Sequence, residues 1–267
     1  MSERQSRHTA LMTKHALISI DTEEFDLPRE HNVDIAFDEQ IDVARQGMNV
    51  ILDLFEQEGI RATFFCTTNF ALNAPDVMQR IIAGGHEIAS HGCDHFHPQP
   101  ADVARSKQVL DTLSPCPVTG YRQPRMMPVN DETIEAAGYH YNSSMHPAFI
   151  PGRYMHLHMP RRPFMRGHVL QIPASVTPWF RIPVFWLALH NYPLRFYKTL
   201  CRRIINNDHL FVIYFHPFEF VDLHAHKEWR IPFIIRRNSG AAMRQRVTEL
   251  ISCLRSEGAQ FITYDEY

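Results

Sequence analysis

The sequence predicts an α/β fold built from parallel strand–helix–strand units, and two observations support this prediction. Short runs rich in apolar and β-branched residues alternate with amphipathic stretches, and the connections between them are short. The alternation continues to the C-terminus with no internal repeat and no linker. We therefore expect a flexible leader over residues 1–14 and a single domain over residues 15–267.

The first half of the chain shows this alternation most clearly. A helix is expected over residues 40–58, because Ile41 and Phe55 lie on one helical face and Gly59 follows as a stop. A second helix over residues 75–83 ends at a pair of glycines in the same way. The flanking apolar runs are expected to form strands at residues 16–20, 60–66 and 86–89.

The second half continues the pattern around a less regular middle. Helices are expected at residues 101–113, 131–137, 194–205 and 242–256, and strands at residues 118–121, 210–215 and 260–264. Between them, residues 146–192 are rich in proline and aromatic residues, so we expect mostly loops there. The aromatic stretch from Trp179 to Leu189 either packs over the end of the domain or forms an apolar patch at a membrane surface.

The overall composition argues against several classes of protein. A formal net charge of −2 and a pI near 6.8 give no electrostatic footprint for nucleic acid. The five cysteines are an odd number without a C-x-x-C pair, which favours a reducing compartment over a disulfide framework. The first residues lack the apolar core of a secretory signal, and no apolar run reaches the roughly 20 residues of a membrane span. We therefore expect a cytoplasmic protein of undetermined oligomeric state.

Four of the predicted strands end in side chains that can do chemistry. In parallel α/β folds the carboxyl ends of the strands meet at one edge, and functional groups gather there. A structural core requires none of these side chains, so we expect them to converge on one site. The residues concerned are Asp21 and Glu23, His91 and His95, Arg122, and His216.

His91 and His95 are candidate metal ligands, because on one helical turn both rings would face the same ion. With 17 histidines in the chain, roughly one such spacing is expected by chance, and two surface histidines are the alternative. The acidic end of the first strand favours the metal site, since two imidazoles and one carboxylate are a common ligand set for catalytic Zn²⁺.

The remaining residues of the group suit a hydrolase. One of the carboxylates at positions 21 and 23 can bind the ion, while the other takes a proton from an activated water molecule. Arg122 can hold the base carboxylate, and His216 can act as a general acid because its unperturbed pKa lies near 6.5. The neighbouring Glu24 and Asp26 are interpreted as solvated acidic residues.

At these residues the sequence resembles the polysaccharide-deacetylase superfamily, also called the NodB-homology or carbohydrate esterase superfamily. The resemblance extends from residue 18 to about residue 220, in the family's order and spacing. Three of the stretches, GYRQP, GYHYNSS and FHPFE, are most similar to the branch associated with exopolysaccharide export loci. The full set of matching stretches is ISIDTEEFD, IRATFFCTTNFA, AGGHEIASHGCDH, TGYRQP and VIYFHPFEF.

The resemblance implies a single-domain distorted (β/α) barrel, often with seven parallel strands, and a bound divalent metal. Zn²⁺ is the expected ion, with Co²⁺, Ni²⁺ or Mn²⁺ as alternatives. The implied ligands are His91, His95 and Glu23, because Asp21-Thr22-Glu23 stands where many members have two adjacent aspartates. Glu24 is the alternative carboxylate ligand.

The resemblance also implies roles for the residues around the metal. By position, Asp21 is the general base, Arg122 tethers it, and His216 is the general acid. The backbone N–H of Arg125 falls where the family places an oxyanion donor. Three further residues lie where the family lines its sugar cleft and are expected to contact the substrate: Asn142, Ser143 and His146.

These implications predict a metal-dependent hydrolase that removes N-acetyl or N-formyl groups from amino sugars of a polysaccharide or of its lipid-linked precursor. Its expected partner is an acetylated amino-sugar or oligosaccharide substrate, with no nucleic acid and with membrane-surface contact left open. The alternatives are a metal-independent cyclic-amide hydrolase of the same superfamily and a non-catalytic carbohydrate-binding protein. A glycoside hydrolase with two carboxylates is a further alternative, but it gives the two histidines no role.

Overall fold

The computed structural model describes residues 13–150 and 154–267. The predicted leader, residues 1–14, lies almost entirely outside the described residues, although the first strand already includes Lys14. Within the described residues the strands are β1 (Lys14–Thr22), β2 (Thr63–Cys66), β3 (Glu87–Ser90), β4 (Gly120–Tyr121), β5 (Tyr141–Asn142), β6 (Phe149–Ile150), β7 (Tyr154–Met155), β8 (Phe164–Arg166), β9 (Val169–Gln171), β10 (Leu210–Phe215) and β11 (Ala259–Phe261).

Helices connect most of these strands and lie along the outside of the sheet. The longest, over residues 37–58, ends where Gly59 adopts a left-handed conformation with φ of 60°. In the described residues the α-helices are α1 (Leu27–Glu30), α2 (Phe37–Glu58), α3 (Thr68–Asn73), α4 (Pro75–Ala83), α5 (Asp102–Leu113), α6 (Asp131–Ala136), α7 (Trp186–Asn191), α8 (Leu194–Asp208), α9 (Phe233–Arg236) and α10 (Ala241–Ser256).

The main sheet contains seven parallel strands in the order β10-β1-β2-β3-β4-β5-β9, which confirms the predicted barrel class. The strand β8 adds to β9 in the antiparallel direction, and β11 pairs with the beginning of β1. The sheet curls so that its two ends approach each other. The N–H of Ser175, which follows β9, donates to the carbonyl of Val212 in β10 at 3.0 Å.

Strand alternation divides the core into two layers. Ile18 and Ile20 of β1 face outwards into the large cluster between sheet and helices. Leu17 faces the inside of the barrel, where it packs with Phe65, Tyr141 and further apolar residues from other strands. Continuing this alternation along β1 places Ser19 and Asp21 on the inner face, so the strand itself carries Asp21 to the mouth of the barrel.

Most predicted elements are present, and the misses share a cause. Helix α4 and strand β10 match their predicted ranges, whereas α3 and β5 were not predicted. Elements of two to six residues are too short to display a hydrophobic period. For the same reason residues 146–192, expected to be mostly loops, contain four short strands and α7.

Candidate active site

The candidate site lies at the carboxyl ends of the parallel strands. Asp21 is the penultimate residue of β1, and Glu23 follows the end of that strand. Because they are two residues apart in a nearly extended segment, both side chains point to the same side. Both residues are almost fully buried, at 3% and 4% exposed.

Glu23, His91 and His95 form one cluster of potential metal ligands. The Oε2 atom of Glu23 lies 3.1 Å from Nε2 of His91 and 3.3 Å from Nε2 of His95. One ligand atom from each residue falls within 4.8 Å of the others, and all three residues are buried. Side chains from two separate segments of the chain therefore converge as the sequence predicted.

The chemistry of this cluster fits a divalent cation. Nδ1 of His91 lies 2.8 Å from the carbonyl oxygen of Arg122, which can only accept, so Nδ1 carries the proton and Nε2 presents a lone pair. Nδ1 of His95 is held at 2.8 Å by the carboxylate of Asp26. The buried Oε2 of Glu23 makes no hydrogen bond within the described residues. An anionic oxygen facing two imidazole nitrogens, each oriented from behind, is a metal-binding arrangement.

The two histidines reach this geometry from a loop and not from a helical turn, which corrects the sequence-based expectation. Residues 91–95 follow β3 without helical structure, and Gly92 has a φ of 75° that favours glycine. The loop is fastened to α3, because the N–H groups of Thr68 and Asn69 donate to the carbonyls of Gly92 and Cys93 at 3.1 Å. The turn at Gly92, and not a helix, therefore brings the rings of His91 and His95 together.

Glu24 and Asp26 are buried, at 3% exposed each, so their interpretation as solvated residues was wrong. Glu24 accepts hydrogen bonds from Oγ1 of Thr67, Nδ2 of Asn69 and the backbone N–H of His95. Its carboxylate holds the histidine loop and is absent from the ligand cluster, so Glu23 is the carboxylate that faces the histidines. Asp26 instead orients the ring of His95.

The pKa values of the three residues in this cluster differ strongly from their ordinary values. Burial raises the pKa of Glu23 to about 8. Burial alone would lower the pKa of His95, but the carboxylates of Glu23 and Asp26 raise it to about 10. Burial lowers the pKa of His91 to about 4. A cation that binds here must displace protons from Glu23 and His95, so its affinity increases with pH.

Arg122 is completely buried and holds Asp21. Its Nη1 donates to Oδ1 of Asp21 at 2.5 Å and to Oγ of Ser19 at 3.0 Å. Its Nε and Nη2 donate to the carbonyl and hydroxyl of Ser143, and Nη2 also donates to the hydroxyl of Tyr264 at 3.0 Å. With its donors satisfied in this way, the guanidinium is a fixed counter-charge for Asp21.

The second carboxylate oxygen of Asp21 faces the site. Its Oδ2 lies 4.0 Å from Nε2 of His91 and 3.9 Å from Nε2 of His216. Burial alone would raise the pKa of Asp21, but the charges of Arg122, His91 and His216 outweigh burial and the pKa is lowered. Asp21 is therefore ionised near neutral pH, with one oxygen anchored and the other available as a proton acceptor.

His216 lies beside Asp21 and is held by a buried carboxylate. Oε1 of Glu219 accepts from the backbone N–H of His216 at 2.7 Å and lies 2.9 Å from its Nδ1. The other oxygen of Glu219 lies 3.0 Å from Nε2 of His190, which is itself fully buried. Burial alone would lower the pKa of His216, but Glu219 and the site carboxylates raise it. The rings of Phe218 and Trp186 pack against the imidazole.

A cavity of about 1040 Å³ opens above these residues and gives a substrate access to them. Its floor includes Asp21, Glu23 and His95, and its wall includes His216. Much of the remaining lining is apolar and aromatic, with Phe185, Trp186, Leu187, Tyr214 and Phe218 among its residues. Polar groups that converge in a largely apolar cleft are typical of a ligand site.

Comparison with known proteins shows a similarity to polysaccharide deacetylases over part of the chain. Residues 27–141 match the family model described as polysaccharide deacetylase. The chitooligosaccharide deacetylase of Bradyrhizobium sp. (strain ANU 289) is 38% identical over 56 residues, which cover 20% of this chain and 26% of that protein. The peptidoglycan deacetylase of Helicobacter pylori is 29% identical over 115 residues, which cover 39% of each. Over residues 27–141 the chain is therefore similar to polysaccharide deacetylases.

The match to these deacetylases is partial in sequence and nearly complete in fold. The aligned segments span less than half of the length of the curated relatives. By contrast, a probable polysaccharide deacetylase of Pseudomonas aeruginosa PAO1 superimposes with a TM-score of 0.66, covering 94% of this chain and 88% of that one. Its 13% identity makes this a likeness of fold alone. The family match begins after Glu23 and ends before His216, so the placement of those residues relies on the geometry above.

Most of the residues that were expected to face the substrate line the cavity, but one does not. Asn142 and His146 line the cavity, and so does Arg125. Ser143 does not, which corrects its expected role: its hydroxyl donates to the carbonyl of Ile172 and accepts from Arg122, so it lies behind the arginine. Ser144 lines the cavity in its place.

The loop after β4 that carries Arg125 is strained, as is common at functional sites. Arg125 and Met126 both have positive φ angles, of 59° and 51°. Pro124 precedes them, and the side chain of Arg125 pairs with Glu30. This turn fixes the direction of the backbone N–H groups near the cavity, and the role of the Arg125 N–H as an oxyanion donor stays a prediction.

The sequence did not reveal three residues that hold histidines of this site in position. Asp26 was assigned to solvent, and Glu219 and His190 were given no role. Only Glu219 had a usable signal, since it lies three residues after His216 in FHPFE. The partners of Asp26 and His190 lie 69 and 29 residues away along the chain, so only the fold brings them together.

Proposed function

We propose that this chain is a metal-dependent hydrolase that removes N-acetyl or N-formyl groups from amino-sugar residues of a polysaccharide or of its lipid-linked precursor. The single observation that carries the proposal is the buried, unbonded Oε2 of Glu23 facing Nε2 of His91 and of His95. Beside this cluster lie the anchored carboxylate of Asp21 and a third histidine, His216. Together these residues supply the groups that amide hydrolysis requires.

Glu23, His91 and His95 would hold the metal ion. Two imidazoles and one carboxylate suit Zn²⁺ best, and Co²⁺, Ni²⁺ or Mn²⁺ can occupy the same set. When bound, such an ion polarises a carbonyl and acidifies water. Asp26 and the carbonyl of Arg122 keep the two rings in the tautomer that leaves Nε2 free, so they orient the ligands from behind.

Asp21 is the general base of the proposed reaction. Its Oδ1 is anchored by Arg122, and its Oδ2 faces the space between His91 and His216. A lowered pKa keeps it ionised at neutral pH, so it can take a proton from water as the nucleophile adds to the amide carbon.

His216 is the general acid of the proposed reaction. Its raised pKa favours the imidazolium, which can donate a proton to the departing nitrogen. Glu219 holds Nδ1, so Nε2 is the atom that faces Asp21 and the cavity. Oδ2 of Asp21 and Nε2 of His216 lie 3.9 Å apart, so the base and the acid can both reach one amide bound in the cavity.

The remaining roles follow from position around the cavity. We assign the backbone N–H of Arg125 to the developing oxyanion, and we assign Asn142 and His146 to contacts with the sugar. A reducing, cytoplasmic setting, inferred from the cysteine content, belongs to the same proposal. The alternatives are less well supported: a metal-independent cyclic-amide hydrolase needs no cluster of Glu23 with two oriented histidines, and a pure binding protein needs no anchored base.

The test is release of acetate and formate from N-acylated chitooligosaccharides by the purified full chain. We expect hydrolysis to be lost on chelation, restored by Zn²⁺ or Co²⁺, and lost in His91→Ala together with the bound metal. Full activity after chelation would favour the metal-independent alternative. Release that is unchanged in His91→Ala would reject the site itself.

A further inference from the structure

A tight hairpin beside the cavity exposes two aromatic side chains. The hairpin follows β9: Val176 and Pro183 form an antiparallel bridge, and the N–H of Thr177 donates to the carbonyl of Ile182 at 3.0 Å. Its end, which we call the aromatic tip, consists of Trp179 and Phe180. Their exposed fractions are 77% and 73%, the largest among the exposed large apolar residues of the described chain. Exposed apolar groups of this size commonly mark an interaction surface.

The aromatic tip is part of a wider apolar surface at the active-site end of the barrel. Leu157 lies next to the tip, since its carbonyl accepts from Arg181. Phe233 and Ile234 are exposed on α9, which is fastened to α7 by a hydrogen bond from Asn191 to the carbonyl of Ile234 at 2.8 Å. We call this surface the apolar rim; it consists of Leu157, Trp179, Phe180, Phe233 and Ile234.

The apolar rim is continuous with the cavity that holds the proposed site. Phe185, Trp186 and Leu187 lie between the tip and α9 and line the cavity, and Ile234 of the rim lines it as well. Apart from Leu157, which follows β7, the rim residues lie on segments after the carboxyl ends of β9 and β10, at the same edge of the sheet as Asp21 and His216. A surface that covers the rim would therefore also meet the cavity mouth.

Charge is segregated along the chain in a way that the net charge of −2 conceals. Residues 136–207 contain nine lysines and arginines and no aspartate or glutamate, and residues 229–248 contain five arginines and no acidic residue. Residues 1–135 instead contain 21 acidic residues and 11 basic ones. The two segments without acidic residues are those that build the apolar rim.

Several of these arginines lie on the loops of the rim, and others do not. Arg161, Arg162 and Arg202 pair with acidic residues elsewhere on the molecule. Arg181 follows the aromatic tip, Arg195 lies in the first turn of α8, and three more lie on the segment after β10: Arg230, Arg236 and Arg237. The same loop contains the acidic residues Asp222 and Glu228, and Glu228 is already paired with His226.

We propose that the apolar rim docks on the surface of an anionic phospholipid bilayer, with Trp179 and Phe180 inserted at the level of the headgroups and the rim arginines against the phosphates. Tryptophan with neighbouring arginine is the composition that proteins use at this interface. Basic residues near an anionic leaflet add attraction that decreases with salt. In the described residues no helix is long and apolar enough to cross a bilayer, and surface docking does not require one.

Docking in this orientation would bring the cavity mouth to the headgroup layer. A sugar attached to a lipid carrier could then reach Asp21 and His216 without leaving the membrane, whereas a long free polysaccharide would have to enter beneath the protein. This choice between substrates rests on the proposed function. The docking itself does not, since it is measured without any substrate.

The experiment is vesicle flotation of the metal-loaded full chain with pure phosphatidylcholine or with an equal mixture of phosphatidylcholine and phosphatidylglycerol. We expect binding to the anionic vesicles, with a blue shift of tryptophan fluorescence that disappears in Trp179→Phe. A double variant, Trp179→Ser with Phe180→Ser, should bind about tenfold more weakly. Arg195→Gln with Arg237→Gln should weaken binding to anionic vesicles and reduce its dependence on salt.

Tyr267→Ser is the matched control, because Tyr267 is exposed at the other end of the barrel, next to His15 at the beginning of β1. It should bind vesicles like the unmodified chain. The proposal is overturned if the unmodified chain does not float with anionic vesicles, or if the double serine variant floats equally well. Hydrolysis of a soluble chitooligosaccharide by the double serine variant should be unchanged, so a failure of docking and a failure of the proposed function give different results.

Discussion

The two sides of the proposed site are built in different ways. The metal side consists of charged groups directly at the ends of β1 and β3, where the carboxylate of Glu23 faces two imidazoles and Asp26 orients one of them. The acid side consists of His216 on the loop after β10, enclosed by Trp186 and Phe218 and held by a single buried carboxylate, Glu219. The first side is dominated by electrostatics and the second by aromatic packing.

The difference suggests how one cavity can contain both a base and an acid. Near Arg122, positive charge lowers the pKa of Asp21 and keeps it ionised. On the acid side, Glu219 and the site carboxylates raise the pKa of His216 and favour its imidazolium form. Pairs of titratable groups whose surroundings drive their pKa values apart are a sign of acid–base assignment. Variants on the two sides should therefore change different measurable quantities.

The largest effect is expected from Asp21→Asn, which removes the base while leaving the three ligands in place. We expect kcat to fall by roughly 10²–10⁴-fold, because general base catalysis is lost. Metal content, measured by elemental analysis, should stay at the level of the unmodified chain. The substitution also leaves Arg122 as a buried charge without its partner. The free energy of unfolding should therefore fall by about 3 kcal/mol.

The matching variant on the metal side is His91→Ala, which should lose both activity and metal. If Asp21→Asn also loses its metal, Asp21 is a ligand and the division of roles between Asp21 and Glu23 is wrong. Assays below the midpoint of thermal unfolding, checked by circular dichroism, separate the loss of the base from the loss of the fold.

The convergence of these side chains could be predicted from the sequence because the residues follow strands that are readable from composition. Asp21, His91 and Arg122 each come directly at or after a predicted strand, and parallel strands bring such positions to one edge. The same reasoning predicted a helical turn for His91 and His95, since spacing alone cannot distinguish a turn with positive φ at Gly92 from a helix. The sequence predicted that these side chains converge, but it did not predict the backbone conformation that brings them together.

The supporting residues could not be predicted, because their roles depend on burial. Asp26 looks like Glu30 or Asp34 in sequence, yet Asp26 is buried against His95 whereas Asp34 is exposed. His190 lies in an aromatic stretch whose packing emerges only when α7 is placed against the loop after β10. Long-range contacts of this kind leave no period in the sequence.

Asp26→Asn tests the supporting layer of the metal side, with a smaller expected effect. Asparagine can still accept the hydrogen bond from Nδ1 of His95 but does not supply a negative charge. We expect affinity for Zn²⁺, measured by competition with a chromophoric chelator, to fall by roughly 10–100-fold. Activity at saturating Zn²⁺ should change much less. Asp34→Asn, at an exposed position between α1 and α2, should leave the affinity unaltered. Equal losses in both variants would contradict a specific role for Asp26.

The smallest and most selective effect is expected from Glu219→Gln on the acid side. Glutamine can accept from the N–H groups of His216, but the negative charge that raises the pKa of this histidine is removed. The pKa of His216 should therefore fall, and the alkaline limb of kcat/KM, which reports loss of the imidazolium proton, should shift to lower pH. Activity on the acidic side of the optimum and the metal content should be nearly unchanged. Glu228→Gln is the control, because Glu228 pairs with His226 on the same loop but outside the site. If the alkaline limb does not shift in Glu219→Gln, His216 is not the acid. The two sides of the site would then not divide into a base side and an acid side.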